Sequence, residues 1–167
     1  MARASIEIRP AEPAEADQWL ALRAELWPEQ DGASHRDEVT RFFAAATGLG
    51  SMPEAVLVAV DRGAAPRVVG FAEVSRRAYA EGCDTSPVGF LEGWYVAPTH
   101  RRQGVGRALV AAAEEWARAL GCREFASDAL ADNAASAAAH QALGFEEVEV
   151  IRCFRKRLVP VRNPERP

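Results

Sequence analysis

The chain has 167 residues, of which 49% are hydrophobic and 26% charged, and its formal net charge is −4; these values are typical of one globular domain with a sizeable core. No stretch approaches the roughly 20 apolar residues of a membrane span, and the N-terminus lacks the apolar segment of a secretory signal, which argues against membrane and secreted proteins. The acidic balance argues against nucleic-acid binding and favours a cationic partner.

Apolar periodicity and turn residues predict the order of the structural elements. In chain order they are a strand at 5–9, a helix at 13–27, a polar flexible stretch at 29–35, a helix around 39–43, hairpin strands at 55–60 and 68–75, a strand at 88–96, a helix at 103–120, a strand at 123–127, a helix capped by Asp132 or Asn133 and ending at 143, and strand material at 147–158. We expect residues 1–158 to form a single domain. The tail at 159–167 contains three prolines and no apolar cluster, so we expect it to be disordered.

The cysteines show no sign of a disulfide framework or a metal site. Cys83, Cys122 and Cys153 are an odd number at wide spacings, without a CxxC pair. We therefore expect no metal and a location in the reducing cytoplasm.

Residues 101–106 predict an anion-binding cradle between an apolar strand and a helix. Gly104 and Gly106 permit a tight turn with converging N–H groups, and the helix that follows adds the positive end of its dipole. The third glycine of a dinucleotide-binding GxGxxG is absent, and Arg107 stands where a P-loop needs lysine. The pattern thus indicates a pyrophosphate site of another kind.

That other kind is the acyl-CoA loop of the GNAT superfamily of N-acetyltransferases, whose pattern [RQ]xxGx[GA] this segment resembles through Arg101, Gly104 and Gly106. The resemblance implies an α/β (α+β) fold with a single mixed, twisted β-sheet, helices on both faces, and strands 4 and 5 splayed apart for the pantetheine arm. Acetyl-CoA would be the cosubstrate. The residues implied to bind it are Trp94, Val96, Arg101, Arg102, Gln103, Gly104, Val105, Gly106, Arg107 and Asn133.

Further strings resemble one branch, the aminoglycoside 6'-N-acetyltransferases. They are LWPE at 26–29, YAEGCDTSPVGFLEGWYV at 79–96, GCREFASD at 121–128, HQALGFEE at 140–147 and FRKRL at 154–158. This resemblance implies acetyl transfer to a primary amine of a cationic aminosugar, a homodimer, and a role in antibiotic resistance.

Carboxylates suit such a substrate because they bind ammonium groups and can accept a proton. Glu92 interrupts an apolar strand, and the resemblance makes it the base or a water-positioning residue; the alternative is a solvated strand-face glutamate. Asp128 ends a strand at the edge where ligands collect and is the rival base, or else a turn residue. Glu149 matches a third acidic position that reaches the substrate, with a solvated edge residue as an equal alternative.

The resemblance also assigns the remaining site residues. Trp27 and Tyr79 would shape the sugar cleft, although Trp27 could equally be core packing, and Asp84 is a candidate contact or a turn residue. The backbone N–H of Val96 would stabilise the oxyanion. His140 replaces the tyrosine that many GNAT enzymes use as general acid, and a packed structural histidine is the preferred interpretation.

Three functions remain open at this point. The first is an aminoglycoside 6'-N-acetyltransferase, and the second is a GNAT enzyme that acetylates another polyamine or a peptide amine. The third is a non-catalytic acyl-CoA-binding module, which would have no need of two carboxylates near the acyl end.

Overall fold

A five-stranded sheet organises the chain, with the strands adjacent in sequence order from β1 to β5. The computed structural model describes residues 6–44 and 53–158. Its elements are β1 (Ile6–Pro10), α1 (Ala16–Leu26), α2 (Gly32–Ala44), β2 (Ala55–Asp61), β3 (Arg67–Arg77), β4 (Val88–Val96), α3 (Val105–Ala119), β5 (Phe125–Ser127) and α4 (Ala134–Ala142). The pairs from β1 to β4 are antiparallel, whereas β4 and β5 are parallel. The prediction of one mixed sheet is confirmed.

The two faces of the sheet carry separate hydrophobic clusters, because successive side chains of a strand point to opposite faces. On β2, Val56 and Val58 belong to the cluster under α1 and α2, while Leu57 and Ala59 belong to the cluster under α3. Trp19 of α1 is fully buried in the first cluster. The helices therefore cover both faces, as expected.

A β-bulge interrupts the pairing of β3 with β4. Glu73 pairs with Gly93 and Val74 pairs with Leu91, so Glu92 is an extra residue on β4. Leu91 packs in the cluster on the α3 face, as Trp94 also does, while a Cβ atom on Gly93 would lie 2.4 Å from Trp27 on the opposite face. The bulge thus changes the side-chain alternation in the middle of the strand that carries Glu92.

One boundary differs from the sequence-based expectations, and one open alternative is decided. Helix α2 begins at Gly32, so part of the stretch predicted to be flexible is helical, with the N–H of Ser34 bonded to Asp31 Oδ1. Of the two candidate caps for α4, Asn133 is the one used, and its side chain accepts a hydrogen bond from the N–H of Ser136 at 3.0 Å.

The prediction of a strand at 147–158 was wrong. Residues 146–158 form no strand within the part of the chain that the structure describes, and all of them are exposed. The alternating pattern is suited to a strand, but a strand forms only where a partner strand supplies its hydrogen bonds. The tail at 159–167 lies outside the described residues. None of the described helices is long and apolar enough to cross a membrane.

A buried charge cluster joins α1, α2 and β3. Glu73 is 2% exposed, accepts a hydrogen bond from Trp19 Nε1 at 2.9 Å, and lies 2.7 Å from Arg23 Nε. The guanidinium of Arg23 also reaches Glu38 Oε2 at 2.5 Å and lies over the Trp27 ring. Burial raises the pKa of Glu73 to about 7, although Arg23 opposes the shift.

We predict that Glu73→Gln changes how stability depends on pH. A raised carboxyl pKa means that, between the two pKa values, the folded state holds a proton that the unfolded state has released. Glu73 therefore stabilises the folded state fully below about pH 4.5 and loses that contribution as the pH rises to about 7. The free energy of unfolding of the native chain, relative to Glu73→Gln, should therefore fall across this window in denaturant titrations.

Glu54→Gln is the matched control with the opposite sign. Hydrogen bonds from Arg76 lower the pKa of the buried Glu54, so its contribution should be lost on acidification instead. A difference between the native chain and Glu73→Gln that stays constant across the window would contradict the prediction.

Candidate active site

The candidate site is the fork where β4 and β5 diverge. The two strands pair over only three positions, and the last pair is Leu91 with Ser127. Glu92 and Asp128 follow this pair directly, one on each strand, so the register brings both predicted carboxylates to the start of the fork. Beyond them, β4 continues to Val96 without a partner from β5.

Glu92 is held by two residues of β3. Its Oε1 accepts hydrogen bonds from the Ser75 hydroxyl and from Arg77 Nε, the latter at 3.0 Å, and its Oε2 accepts one from Arg77 Nη2 at 2.5 Å. The side chain of Glu92 is 12% exposed, so its charge is balanced mainly by the ion pair with Arg77 and is little solvated by water. The interpretation of Glu92 as a freely solvated residue was therefore wrong.

A cavity of about 260 Å³ lies beside Glu92 between the sheet and the first two helices. Its lining residues are Arg23, Trp27, Glu38, Pro53, Glu73 and Glu92. Three carboxylates against one guanidinium make the wall acidic, and Trp27 adds an aromatic surface. Such a wall suits a ligand with both positive charge and a flat apolar face. Both alternatives for Trp27, core packing and a wall of the cleft, fit the structure, because its side chain packs against Gly93 and also lines the cavity.

The backbone N–H of Val96 points into the fork. The N–H of Ala97 donates to the Val69 carbonyl at 2.9 Å, and N–H directions alternate along a strand, so the N–H of Val96 points away from β3. On that side β5 has already ended its pairing with β4. This geometry suits a donor to a developing oxyanion.

His140 lies at the fork in contact with Trp94. The two rings meet edge to face, with centroids 5.9 Å apart. His140 Nδ1 lies 2.8 Å from the Ser136 carbonyl, and Nε2 lies 2.9 Å from Ser127 Oγ, which donates to the Leu91 carbonyl. A carbonyl only accepts, so Nδ1 carries a proton. His140 is therefore fixed by hydrogen bonds in addition to the packing that the sequence suggested.

The predicted cradle follows β4 and leads into α3. Arg102 and Gly104 have φ angles of 58° and 86°, and α3 starts at Val105. The N–H of Arg101 donates to the Pro98 carbonyl at 3.4 Å, and the next N–H along the described chain with a backbone acceptor is that of Ala108, which donates to the Gly104 carbonyl at 3.0 Å. The N–H groups from 102 to 107 therefore have no backbone acceptor, as an anion site requires.

Arg101 of the cradle and Arg107, which follows it, have structural contacts of their own. Arg101 Nε donates to the Val96 carbonyl at 2.8 Å, and its guanidinium lies 5.1 Å from the Tyr95 ring centre. Arg107 Nη2 donates to the Ala142 carbonyl of α4 at 3.2 Å. These bonds tie the cradle to β4 and α4, and each guanidinium keeps further N–H donors for a phosphate.

The remaining predicted residues lie around the fork to different extents. Tyr79 is 66% exposed, in the loop between β3 and β4. The N–H of Asp84 in that loop donates to the Glu124 carboxylate, while the Asp84 side chain is exposed. Glu149 lies in the exposed segment at 146–158, outside the fork. The amide of Asn133 caps α4, and its two N–H donors remain available for a ligand.

Sequence reasoning missed Ser75 and Arg77, which determine the environment of Glu92. A signal was present, since Ala72 and Val74 of β3 alternate with Glu73 and Ser75, and Arg77 follows on the same face as Glu73 and Ser75. Polar residues on three successive positions of a face that should be buried indicate a site rather than a core.

The site fits the pantetheine and pyrophosphate of a CoA thioester. The fork leaves room between β4 and β5, the turn presents unpaired N–H groups, and an added Cβ atom at Gly104 would meet no atom within 4 Å. The residues that would hold the pyrophosphate are those from Arg102 to Arg107. Among the described residues, no cluster of three or more metal-binding side chains occurs.

Comparisons with known proteins agree with this geometry. The model of the acetyltransferase (GNAT) family matches residues 17–145. An aminoglycoside N(6')-acetyltransferase type 1 of Klebsiella aerogenes is 52% identical over 153 residues, which are 90% of this chain and 96% of the relative.

Two solved structures of aminoglycoside N-acetyltransferase AAC(6')-Iy are also similar. The complex with CoA is 37% identical with a TM-score of 0.83, covering 94% of this chain and 98% of that chain. The complex with the bisubstrate analogue CoA-S-monomethyl-acetylneamine is 38% identical with a TM-score of 0.81, covering 93% of this chain and 100% of that chain.

We predict that Gly104→Val weakens CoA binding by about tenfold or more. The left-handed φ of 86° is costly for a branched side chain, roughly 1–2 kcal/mol, and relaxation of the turn would misalign the N–H groups. Isothermal titration with CoA measures the change.

Gly121→Val is the matched control. Gly121 has a φ of 85° and open space around its position, but it follows the other end of α3. The control should lose stability to a similar degree and keep its CoA affinity. Equal CoA affinity in both variants would show that residues 101–106 do not bind CoA.

Proposed function

We propose that this chain, which belongs to the acetyltransferase (GNAT) family, is an aminoglycoside 6'-N-acetyltransferase that passes an acetyl group from acetyl-CoA to a primary amine of the drug. The observation that supports this most is the fork, where an acidic cavity wall lies beside the point at which β4 and β5 stop pairing. The names of the similar proteins supply the substrate class and the position of the amine. Acetylation removes a positive charge from the drug, which is consistent with a role in resistance.

The chemistry that we propose is a direct transfer. An ammonium group of the substrate loses a proton, and the nitrogen of the resulting amine bonds to the thioester carbon. The carbon–sulfur bond then breaks, the nitrogen loses a second proton to become a neutral amide, and the departing thiolate gains one proton, so that one proton is released overall. Glu92 and Asp128 would bind and orient the amine, and one of them, directly or through water, would take its proton. The N–H of Val96 would stabilise the oxyanion by about 3 kcal/mol.

The cysteines do not suggest a covalent acetyl-enzyme. Burial raises the pKa of the Cys83 and Cys122 thiols, which lowers the fraction of nucleophilic thiolate. Cys153 lies in the exposed segment at 146–158. The three thiols form no disulfide in the structure, which supports a proposed location in the reducing cytoplasm.

We further propose that the protein is a homodimer joined through the segment at 146–158. Exposed large hydrophobic residues are concentrated there, namely Val148, Val150, Ile151, Phe154 and Leu158. A monomer rarely leaves so much apolar side chain in water. In addition, β5 is the edge of the sheet, so its outer hydrogen-bonding groups can pair with an added strand. Glu149 lies in the same segment, which supports a substrate contact reaching across the dimer.

The proposed activity predicts thiol release from acetyl-CoA when kanamycin or tobramycin is the acceptor. Spermidine and a basic peptide test the alternative of a general amine acetyltransferase with the same fold. Mass and NMR analysis of the product should place the acetyl group on the 6' nitrogen. Aminoglycosides that release no more thiol than buffer would refute the proposal.

Variants of the two carboxylates are part of the same experiment. Glu92→Gln and Asp128→Asn should each lower kcat/KM for the aminoglycoside by more than about tenfold, because each loses a charged hydrogen bond to the amine or its base. Both variants should bind CoA as the native chain does, since neither residue belongs to the cradle. Unchanged activity in both would remove them from the mechanism.

The dimer predicts that the double substitution Val150→Asp and Phe154→Asp produces a monomer in light-scattering measurements. Two charges cannot be buried at an apolar interface without a large desolvation cost. Leu120→Asp, at the 39% exposed end of α3, is the control and should remain dimeric. A native chain with the mass of a monomer would refute the dimer.

A further inference from the structure

Three polar side chains lie on the face of β3 that approaches Glu92. Glu73 is fully buried, Ser75 is 1% exposed, and Arg77 at the end of the strand is 31% exposed at its side chain. The hydroxyl of Ser75 and the guanidinium of Arg77 both donate to the same carboxylate. Glu92 is therefore bonded along one side by two residues that lie outside the strings that carry the family resemblance.

The hydrogen-bonding capacity of the carboxylate is nearly used by these two residues. A carboxylate has about four acceptor positions, two on each oxygen. Oε1 accepts from Ser75 and from Arg77 Nε, while Oε2 accepts only from Arg77 Nη2. One position on Oε2 is thus left, and Glu92 is a wall residue of the cavity.

Arg77 is itself fixed by more than the carboxylate. Its guanidinium carbon lies 3.4 Å from the centre of the Phe90 ring, two residues before Glu92 on β4. The planar fork of an arginine bonds a carboxylate in one plane, and stacking on a ring fixes that plane. Arg77 is not a wall residue of the cavity, so it can hold Glu92 from behind without occupying the space beside it.

We propose that Arg77, together with Ser75, is a positioning residue for Glu92 in the acetylation reaction. The pair holds the carboxylate in one orientation and leaves a single acceptor position, on Oε2, for the ammonium group of the substrate or a water bound to it. The other charged side chains on the cavity wall are Arg23, Glu38 and Glu73. This inference rests on the proposed function and adds to it a residue that acts only through Glu92.

A double-mutant cycle tests the inference, because a residue that acts only through another has no effect once that other is removed. Arg77→Gln should lower kcat/KM for an aminoglycoside by about tenfold, the size of one charge-assisted hydrogen bond, with the KM for acetyl-CoA unchanged. In a Glu92→Gln background, the same substitution should change kcat/KM by less than about twofold. Arg77→Lys, which keeps the charge but loses the fork, should fall between the native chain and Arg77→Gln.

Arg76→Gln is the matched control for Arg77→Gln. Arg76 is the neighbouring residue and binds Glu54 with the same kind of fork, but Glu54 is not a wall residue of the cavity. This control removes a comparable ion pair and should leave kcat/KM within about twofold of the native value. A loss as large as that in Arg77→Gln would show that the effect comes from weakened folding, and the inference would then be wrong.

Two other results would also overturn the inference that Arg77 positions Glu92. Full activity in Arg77→Gln would show that Glu92 needs no such partner, and equal losses with and without Glu92 would show that Arg77 acts independently. A native chain that acetylates no aminoglycoside refutes the proposed function instead.

Discussion

The extra residue on β4 is the constraint on which the rest of the site depends. Without the bulge, regular alternation from Leu91 would put Glu92 and Trp94 on the same face. The bulge instead leaves Glu92 and Gly93 toward α1 and α2, and turns Trp94 toward α3. A single inserted residue therefore separates the acidic cavity from the opening along the fork, while both stay on one strand. Gly93 is necessary at this point because Trp27 fills the space that a side chain would need.

The charges around the cavity follow one rule, which is that each carboxylate withdrawn from water has an arginine partner. Arg23 bridges Glu73 and Glu38, and Arg77 holds Glu92. An unpaired charge at such depth would cost several kcal/mol or would be neutralised by a proton. The protein thus keeps an acidic wall for a cationic substrate while its interior remains close to neutral. Glu73 is the deepest of the three, and its raised pKa shows that pairing with Arg23 compensates only in part for burial.

The fork and the cradle are connected through the backbone of one strand. β4 first pairs with β5, then diverges from it, and then ends at Val96, whose carbonyl accepts from Arg101 of the cradle. This hydrogen bond ties the turn to the end of β4. A glycine of the turn and a carboxylate in the middle of the strand therefore lie along one continuous stretch of backbone, although neither touches the other.

The sequence by itself determined the order of the elements from β1 to α4 and the cradle at 101–106. It also placed one carboxylate within β4 and one directly after β5. All of these follow from helical and strand periodicity and from turn chemistry, which are local properties. Only the tertiary structure decided the partners of Glu92, since Ser75 and Arg77 reach it from the neighbouring strand β3, beside a bulge that no local pattern specifies. The same limit explains the error at 147–158. Alternation makes a segment suited to a strand, whereas a strand exists only when another strand accepts its hydrogen bonds, and pairing between distant segments depends on the whole fold.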